Sequence, residues 1–412
     1  DRGARAKWAR ARQDRSVPDA SDPSFDLVIA SDDWGRAPSA PQHLGAHLAA
    51  RSRVLWVEPA GLRRPRGTRG DLMRSLGKLS GMAGAGLTAP SGFLPAPPSL
   101  RRCVPPVVPM FAIPLVGRAL DALLVRSVRA AADEHLRGPR GLIVTLPTAS
   151  ALVGRVDERV SVYLRMDDFS LWPRHDVAAV RAGERRLLGR VDALVAPSPA
   201  LLEVEEPDGR AQPLHRVLLP HGVDATHFAQ PGPDPLDGLP RPRLLVAGRL
   251  DERIDADWLI ELLDGRPDAT LVLLGEPVRV ADTLRVHPRV RLRPAVPYRE
   301  LPRWLHAADV LLVPYRPGPL TDSLAPLKLR ELLATGRPVL STLMRGVGDD
   351  PELRSVVRQA GVAEASAALR AALAEGPAEA DRRRASVAAS SWASRAATLR
   401  DLLQRLLRSR PL

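Results

Sequence analysis

The sequence predicts an α/β protein with two doubly wound domains, each built on a parallel sheet. The chain of 412 residues is long for a single hydrophobic core, so two domains are expected. Short apolar runs, typical of strands buried on both faces, alternate with helix-like segments in both halves of the chain. Between the halves, residues 230–242 are rich in Pro, Gly and Asp and have the composition of a linker.

The first half opens with a strand, a polar loop, a helix and a second strand. Its predicted strands are residues 25–30, 54–57, 142–146, 160–166 and 193–196. Residues 42–50 form the first predicted helix, and residues 115–136 form an amphipathic helix because their apolar residues recur at helical spacing. A short helix near 72–79 and a weak strand near 87–89 are predicted in the Gly- and Pro-rich stretch between these helices.

The second half repeats this architecture without repeating the sequence. Its predicted strands are residues 244–247, 270–274, 290–292, 310–313 and 339–340. Residues 378–407 are predicted to be largely helical, with Trp392 on the apolar face. The predicted organisation is a disordered arm at 1–24, a first domain at 25–229, the linker at 230–242, a second domain at 243–385 and a tail helix at 386–412.

Residues 308–342 form a strand-loop-helix-strand unit with polar groups at the start of the helix. Pro326 suits the first turn of this helix and Gly336 its C-terminal cap. The free N–H groups and positive dipole end of a helix N-terminus suit a diphosphate. Lys328 and Glu331 share one helix face, where they could meet a phosphate and a ribose diol, or form a surface ion pair. Only three of the 60 Lys and Arg residues are Lys, which favours a specific role for this one.

This unit resembles the signature of retaining glycosyltransferases of the GT-B fold, the "glycosyl transferases group one" family. The most similar members build cell-wall and capsule polysaccharides and share the pattern P-x-K-x-x-E-x-x-A-x-G-x-P-V-x-S/T. The residues that match are Pro326, Lys328, Glu331, Ala334, Gly336, Pro338, Val339 and Ser341. The resemblance implies two Rossmann-like domains that face each other across a cleft. It also implies a tail helix that returns to the first domain, and a nucleotide-sugar donor held mainly by the second.

The donor side of the cleft has a second family pattern, G-R-L-x-x-x-K-G, which begins at Gly248 and includes Arg249. The resemblance implies that the Arg249 guanidinium grips the donor diphosphate. Ile254 replaces the family lysine, so we expect Lys328 to supply that charge. The family often has a glutamate where this chain has Ser323, so other groups are expected to contact the donor sugar. The candidates are Thr321, Asp322, Ser323 and the amides of Leu324 and Ala325.

Two carboxylates, Asp167 and Asp168, follow the strand at 160–166, at the edge where α/β folds bind ligands. The family often has a His-Asp pair here, and Met166 replaces the histidine while Asp168 matches the aspartate. The resemblance implies a catalytic role for Asp168 and an acceptor-side position for Asp167. The alternative is that both carboxylates cap the turn that follows.

The loop after the first strand resembles a family loop in which a Trp precedes Gln and a short helix. Trp34, Gln42 and His43 are therefore expected to face a ligand on the acceptor side. For His43, the alternative is a partly buried histidine at the start of a helix.

No metal site or cofactor is predicted. The string Asp255-Ala256-Asp257 has the D-x-D form that holds a divalent metal in another class of glycosyltransferases, but at a helix start it is expected to be a cap. No Cys/His cluster has metal-ligand spacing, and the chain has no G-x-S-x-G, Walker or G-x-G-x-x-G motif. These absences disfavour a hydride-transfer enzyme.

The formal net charge of +13 favours anionic partners such as nucleotide sugars or anionic lipid headgroups. Nucleic acid is not predicted as a partner, since the charge follows from an Arg-rich composition. The single cysteine, Cys103, excludes an internal disulfide. No apolar run reaches the ~20 residues of a spanning helix, and residues 1–24 lack the apolar centre of a signal peptide. We therefore expect a cytoplasmic protein.

A peripheral position on the inner face of the membrane is also considered. Arg101 and Arg102 adjoin an apolar, Pro-containing run at 104–116. This patch could lie on an anionic bilayer, as in enzymes that act on lipid-linked acceptors. The alternative is a buried Pro-rich segment.

The resemblance implies transfer of a sugar, with retention, from a nucleotide sugar to a glycan, a lipid-linked or another acceptor. Arg249, Lys328 and the helix N-terminus would stabilise charge on the leaving diphosphate. The resemblance implies that this leaving group itself takes the proton of the acceptor. Two alternatives stay open. One is a nucleotide-sugar epimerase of the same architecture, and the other is a catalytically degenerate nucleotide-sugar-binding partner protein, suggested by Ile254 and Ser323.

Overall fold

A computed structural model describes residues 25–36, 38–59, 95–107, 114–173, 175–204 and 215–409. The arm predicted at 1–24, the short helix near 72–79 and the weak strand near 87–89 lie outside these residues. Helices and strands are numbered below over the described residues only.

The first sheet has seven strands, all paired in parallel, in the order β3-β2-β1-β4-β5-β6-β7. The strands are β1 Asp26–Ala30, β2 Val54–Val57, β3 Leu100–Cys103, β4 Arg140–Val144, β5 Glu158–Leu164, β6 Ala193–Ala196 and β7 His215–Leu218. The helices around them are α1 Ala40–Leu48, α2 Pro114–His135, α3 Val177–Leu188 and α4 Pro199–Leu202, with a 3₁₀ helix at Pro147–Leu152. A fifth helix, α5 Ala225–Phe228, lies in the connection to the second sheet.

The second sheet has six parallel strands in the order β10-β9-β8-β11-β12-β13. Its strands are β8 Arg243–Ala247, β9 Thr270–Leu274, β10 Val290–Arg293, β11 Val310–Val313, β12 Val339–Ser341 and β13 Arg358–Gln359. Its helices are α6 Ala256–Asp264, α7 Asp282–Arg285, α8 Leu301–Ala307, α9 Pro319–Ser323, α10 Leu327–Ala334, α11 Arg345–Gly348, α12 Ala365–Leu373 and α13 Pro377–Val387, and a 3₁₀ helix spans Tyr298–Glu300. The last helix is α14, Trp392–Arg408.

Each sheet is buried on both faces, which explains its continuous apolar strands. Along β1, for example, Leu27 and Ile29 pack into one core and Val28 and Ala30 into the core on the other face. The second sheet divides its strands between two cores in the same way. The predicted α/β architecture of two doubly wound domains is therefore confirmed.

The topology of the second sheet places a ligand crevice between β8 and β11. From β8 the chain builds outward through β9 and β10, and it then returns to build β11, β12 and β13 on the other side. The carboxyl ends of strands at such a reversal form the crevice where doubly wound sheets bind ligands. The loop after β8 and the segment that leads from β11 into α10 begin at this crevice.

Three strands were missed by the sequence analysis. They are β3, β7 and β13, and all three lie at sheet edges. Arginine residues at Arg101, Arg102, Arg216 and Arg358 interrupt their apolar pattern, because one side of an edge strand can remain in water. The first helix begins two residues before its predicted start, because Ser39 caps it and accepts a hydrogen bond from the Gln42 N–H.

The helix α14 crosses back to the first domain, as the resemblance implies. Trp392, Leu399 and Leu403 are buried in the same core as Phe25 and Trp56. The first sheet and α1 therefore depend on the end of the chain for part of their apolar cover. Among the described helices, none combines the length and the apolar character needed to cross a bilayer.

The basic pair beside the predicted membrane patch lies on β3. Arg101 pairs with Glu134 of α2 at 2.7 Å, and Arg102 pairs with Glu58 at 2.6 Å. Val107 is buried in the first domain, and residues 108–113 of the apolar run lie outside the described part of the chain. The structure thus gives both arginines protein partners within the first domain.

Candidate functional site

The helix α10 ends where its motif predicts, but it begins one residue after the proline that was expected in its first turn. Pro326 occupies the N-cap position, and Gly336 follows the C-cap with a φ of +79°, a conformation that favours glycine. Leu329 and Leu333 are fully buried and anchor the helix in the second domain. Lys328 and Glu331 are one turn apart on this anchored helix.

Lys328 reaches from α10 to the end of the neighbouring strand β8. Its Nζ donates a hydrogen bond of 3.0 Å to the carbonyl oxygen of Ala247, the last residue of β8. It lies so close to Gly248 that a Cβ at that position would come within 2.7 Å of Nζ. The structure therefore brings the predicted phosphate lysine to the Gly-Arg-Leu loop that contains Arg249.

No carboxylate lies within 4 Å of Lys328 Nζ among the described residues. The alternative of an ion pair with Glu331 is therefore not observed. The ammonium instead lies 5.2 Å from the centroid of the Tyr315 ring. Burial opposes ionisation of the phenol, but the charges of Lys328 and Arg253 together lower the pKa of Tyr315.

The loop after β8 contributes two arginines, which share one carboxylate. Arg249 Nε lies 3.4 Å from Asp251 Oδ2, and its side chain is 40% exposed. Arg253 makes a bidentate pair with the same carboxylate, with Nε 2.8 Å from Oδ1 and a terminal nitrogen 2.9 Å from Oδ2. This carboxylate holds both guanidinium groups at the crevice.

Arg253 is the cation that the sequence analysis missed. It stands beside Ile254, where the family has lysine, and its guanidinium lies 5.2 Å from the ring centroid of Tyr315, the ring that Lys328 also contacts. The signal in the sequence was an arginine one residue before the substituted position. Lys328 is therefore not the only side chain placed to replace the missing charge.

Arg253 also joins the two domains. Its guanidinium lies 4.8 Å from the centroid of the Trp172 ring, which packs against the core of the second domain. Trp172 belongs to the first domain, in the segment that follows Asp168. A cation–π contact of this kind contributes up to ~2 kcal/mol when it is shielded from water.

The buried Glu331 has one hydrogen bond from its surroundings in the described chain. Tyr298 donates from its phenol to Glu331 Oε1 at 3.3 Å. Burial raises the pKa of Glu331 to about 7, although the charge of Lys328 and the Tyr298 hydrogen bond both lower it. The carboxylate thus titrates near neutral pH at the predicted donor helix.

The predicted donor-sugar groups are largely engaged within their own loop. The Thr321 hydroxyl donates to the carbonyls of Arg316 and Gly318 at 2.7 and 3.0 Å, and the Ser323 hydroxyl donates to Leu320 O at 2.7 Å. The Leu324 amide donates to Thr321 O at 3.3 Å. The backbone of Ala325 hydrogen-bonds to His221, and Asp322 is partly exposed on α9. Contact between these groups and a sugar stays a prediction.

The two carboxylates after β5 have different environments. Asp168 Oδ1 accepts hydrogen bonds from the Ser170 N–H and hydroxyl at 3.0 and 2.6 Å, and its Oδ2 lies 3.3 Å from Arg165. It therefore caps the following turn, which is the alternative role considered from the sequence. Burial raises the pKa of Asp167 to about 7, against the lowering effect of Arg253 and Arg165.

The structure buries the three residues expected to face an acceptor. Trp34 is 7% exposed and packs edge-on against Trp56. Gln42 is fully buried, and its side-chain amide bonds to Asp32 Oδ2, Asp33 O and the Gly35 N–H. Both side chains therefore contribute to the packing of the first domain, and their contact with an acceptor stays a prediction.

His43 occupies the buried position that was its alternative. It stacks on Trp392 of α14 with a centroid distance of 4.6 Å and an interplanar angle of 4°. Burial lowers its pKa to about 3, with smaller effects from His47 and His227. The ring is therefore neutral at physiological pH and joins α1 to the tail helix.

The D-x-D string caps α6. Asp255 accepts a hydrogen bond from the Trp258 N–H, as the capping interpretation predicts. Within the described ranges, no group of three or more His, Cys, Asp or Glu residues could hold a metal ion.

Residues 241–375, which include α10, the loop after β8 and the segment between β11 and α10, match the family described as "Glycosyl transferases group 1". The second domain is a group 1 glycosyltransferase domain. TuaH of Bacillus subtilis (strain 168), named as a teichuronic acid biosynthesis glycosyltransferase, is 29% identical to the chain over 175 residues. That match covers 40% of this chain and 43% of TuaH, so it spans less than half of the relative.

Solved structures show that the group 1 glycosyltransferase domain is the second half of a GT-B fold. Sucrose-phosphate synthase of Thermosynechococcus elongatus superposes with a TM-score of 0.65 over 94% of this chain and all of that chain, at 18% identity. Anabaena Alr3699/HepE, in complex with UDP-glucose, superposes with a TM-score of 0.61 over 94% and 100% of the two chains, at 14% identity. The predicted fold of two facing Rossmann-like domains is confirmed.

Gly275→Ala should damage the crevice of the group 1 glycosyltransferase domain. Gly275 has a φ of +153°, and a Cβ would come within 1.6 Å of the Gly248 carbonyl oxygen. We expect a loss of ~2–5 kcal/mol in the free energy of unfolding, measured with denaturant, from strain and overpacking together. Gly238→Ala is the control, since Gly238 has a φ of +82° but no atom within 4 Å of its Cβ position. Equal losses in the two variants would contradict the crowding argument.

Proposed function

We propose that this protein is a glycosyltransferase that transfers a sugar, with retention, from a nucleotide-sugar donor to a glycan or lipid-linked acceptor. The observation that carries the proposal is the convergence of Lys328 and Arg249 at the carboxyl end of β8. Lys328 belongs to the signature helix of the group 1 domain and Arg249 to the loop after β8, and the hydrogen bond from Lys328 to Ala247 O joins the two. Cations at a topological switch point suit a diphosphate.

The donor diphosphate would lie between Arg249, Lys328 and the N-terminus of α10. As the bond between sugar and phosphate breaks, negative charge grows on the leaving diphosphate, and these fixed positive groups stabilise it. The leaving oxygen would accept the proton of the attacking hydroxyl, so that no protein nucleophile is required. Because side chains supply the positive charge, we expect transfer without an added divalent metal.

The acceptor would approach from the first domain, on the side of Asp167 and Trp172. Both residues face Arg253, through its charge and its cation–π contact respectively. Asp167 is a better candidate than Asp168 for contact with an acceptor hydroxyl, since Asp168 is engaged in its own turn. The name of TuaH supports an acceptor in teichuronic acid biosynthesis or a similar process, and the UDP-glucose complex of HepE makes UDP-sugars the first donors to test.

Donor binding and transfer test the proposal directly. UDP, GDP and their sugars should be screened by thermal stabilisation, and a stabilising donor should then support transfer to added glycan or lipid-linked acceptors. Formation of an epimer without an acceptor would indicate an epimerase instead. Binding without hydrolysis or transfer would indicate a degenerate nucleotide-sugar-binding protein.

Glu331→Ala should weaken donor binding about tenfold or more, because it removes a charge-assisted hydrogen bond to the ribose worth ~1.5–3 kcal/mol. Calorimetry at pH 8 is the measurement, since the carboxylate, with a pKa of about 7, is mostly ionised there. Glu375→Ala is the matched control. Glu375 is a shielded carboxylate of the same domain that pairs with Arg383, which bonds to Gly336 O beyond the other end of α10. Unchanged donor affinity in Glu331→Ala would exclude the ribose role.

Arg249→Ala and Lys328→Ala should each reduce turnover by roughly 10²-fold, as expected for one preorganised group that stabilises the leaving diphosphate. Because both act on one group, the double variant should lose less than the product of the two single losses. Arg266→Ala serves as the control, because Arg266 is also 40% exposed and faces an aspartate, Asp268. If Lys328→Ala keeps near-full turnover while Arg249→Ala is inactive, Lys328 does not bind the diphosphate. Arg249 and backbone amides would then be the groups that bind it.

We also propose that the protein works at the inner face of the cell membrane, as a cytoplasmic enzyme with a basic surface. The net charge of +13 supports attraction to anionic lipid, although Arg101 and Arg102 each have an acidic partner. Flotation should show binding to anionic but not to neutral vesicles. Charge reversal at both Arg101 and Arg102 should weaken binding to the anionic vesicles. Equal binding to both vesicle types, or no binding to either, would overturn the proposal.

A further inference from the structure

Tyr298 lies between Glu331, the predicted ribose-binding carboxylate, and α5, the short helix in the segment that joins the two domains. Its phenol donates the hydrogen bond of 3.3 Å to Glu331 Oε1. Glu331 is 8% exposed, and within the described residues its side chain makes no other hydrogen bond. One carboxylate oxygen is therefore held by the protein, and the other is left for a ligand.

The Tyr298 ring is itself fixed by residues of α5. It stacks on His227 with a centroid distance of 4.9 Å and an interplanar angle of 20°, and it lies edge-on to Phe228 at 5.5 Å. His227 Nε2 also lies 3.2 Å from the Tyr298 carbonyl oxygen. The phenol thus approaches Glu331 from a ring with little freedom to turn.

Burial and the surrounding charges keep the Tyr298 phenol protonated, so it remains a hydrogen-bond donor to Glu331. Burial, followed by the charges of Glu331 and Asp224, raises the pKa of Tyr298 far above its ordinary value. Lys328 on α10 is the cation that acts on Glu331. His43, from the first domain, lies 6.0 Å from the Tyr298 ring and is neutral near pH 7. The phenol therefore favours the ionised carboxylate throughout the neutral range.

We propose that Tyr298 is a positioning residue for the donor, whose phenol orients the Glu331 carboxylate so that its second oxygen meets the ribose diol. The inference rests on the proposed function and deepens it. It adds a residue outside the signature helix that acts through Glu331 and does not itself touch the ligand. It also predicts that donor affinity depends on pH through this pair.

The direction of the pH dependence follows because the ionised carboxylate of Glu331 is the form that binds the ribose. Affinity should rise with pH as Glu331 loses its proton, with a midpoint of about 7 in the unsubstituted protein. Tyr298→Phe removes a hydrogen bond that favours the carboxylate, so its midpoint should move up by about one unit. The affinity of Tyr298→Phe should then be about fivefold weaker at pH 7 and close to that of the unsubstituted protein at pH 9.

The experiment measures dissociation constants of UDP and GDP by calorimetry from pH 6 to 9 in four proteins. These are the unsubstituted chain, Tyr298→Phe, Glu331→Gln and Tyr163→Phe. Tyr163→Phe is the matched control, since it also removes a buried phenol that donates to a glutamate, Glu184, at 2.9 Å in the first domain. Titration of the nucleotide phosphates is common to all four, so differences between profiles report the protein.

We expect the midpoint of the pH dependence of nucleotide affinity to move up in Tyr298→Phe and to stay unchanged in Tyr163→Phe. In Glu331→Gln, position 331 should contribute nothing to the pH dependence. An unchanged midpoint in Tyr298→Phe, with normal binding by the unsubstituted protein, overturns this inference and leaves the proposed function standing. Failure of the unsubstituted protein to bind either nucleotide overturns both. Carbon-13 NMR of Glu331 in the ligand-free protein, assigned with Glu331→Gln, provides a second test, because an equal carboxyl pKa with and without the Tyr298 phenol also overturns the inference.

Discussion

The hydrogen bond from the Lys328 ammonium to the Ala247 carbonyl is the interaction on which the candidate site depends. It joins α10, which follows β11, to the end of β8, the adjacent strand across the reversal of the sheet. The buried leucines of α10 fix the helix, and parallel pairing fixes the strand. The Lys328 side chain thus spans a gap whose width the core and the sheet fix, and it joins the helix N-terminus to the Arg249 loop at the crevice.

The cations of this crevice are held in place by groups that a diphosphate could replace. Asp251 pairs with Arg249 and Arg253, and the Tyr315 ring lies beside both Arg253 and Lys328. Holding like charges close together is costly without such partners. A ligand with two or more negative charges would satisfy the same cations, and Arg249 is the most accessible of them to it.

The site is also tied to the relative position of the two domains. Arg253 contacts Trp172 from the first domain, and α14 covers the core of the first domain after α13 has packed on the second. On the buried side of α10, Arg330 is 2% exposed and pairs with Asp350 and Glu352. Glu352 in turn accepts a hydrogen bond from Ser390, just before α14 begins. A shift between the domains would therefore strain contacts on both sides of the donor helix.

The sequence by itself determined the fold class, most central strands, the existence and C-terminal end of α10 and the location of the family motif. Apolar runs, a proline before the helix and a glycine after it are local signals, and Lys328, Glu331 and Arg249 stand at fixed places relative to them. The edge strands β3, β7 and β13 lack a continuous apolar run, which is why they were missed. Only the tertiary structure decided which polar residues face the crevice. Burial of Trp34 and Gln42 and the contacts of Arg253 and Tyr298 depend on segments far apart in the chain, whereas the capping by Asp168 is a local contact with Ser170. The residue pattern within one segment does not specify which distant segment packs against it.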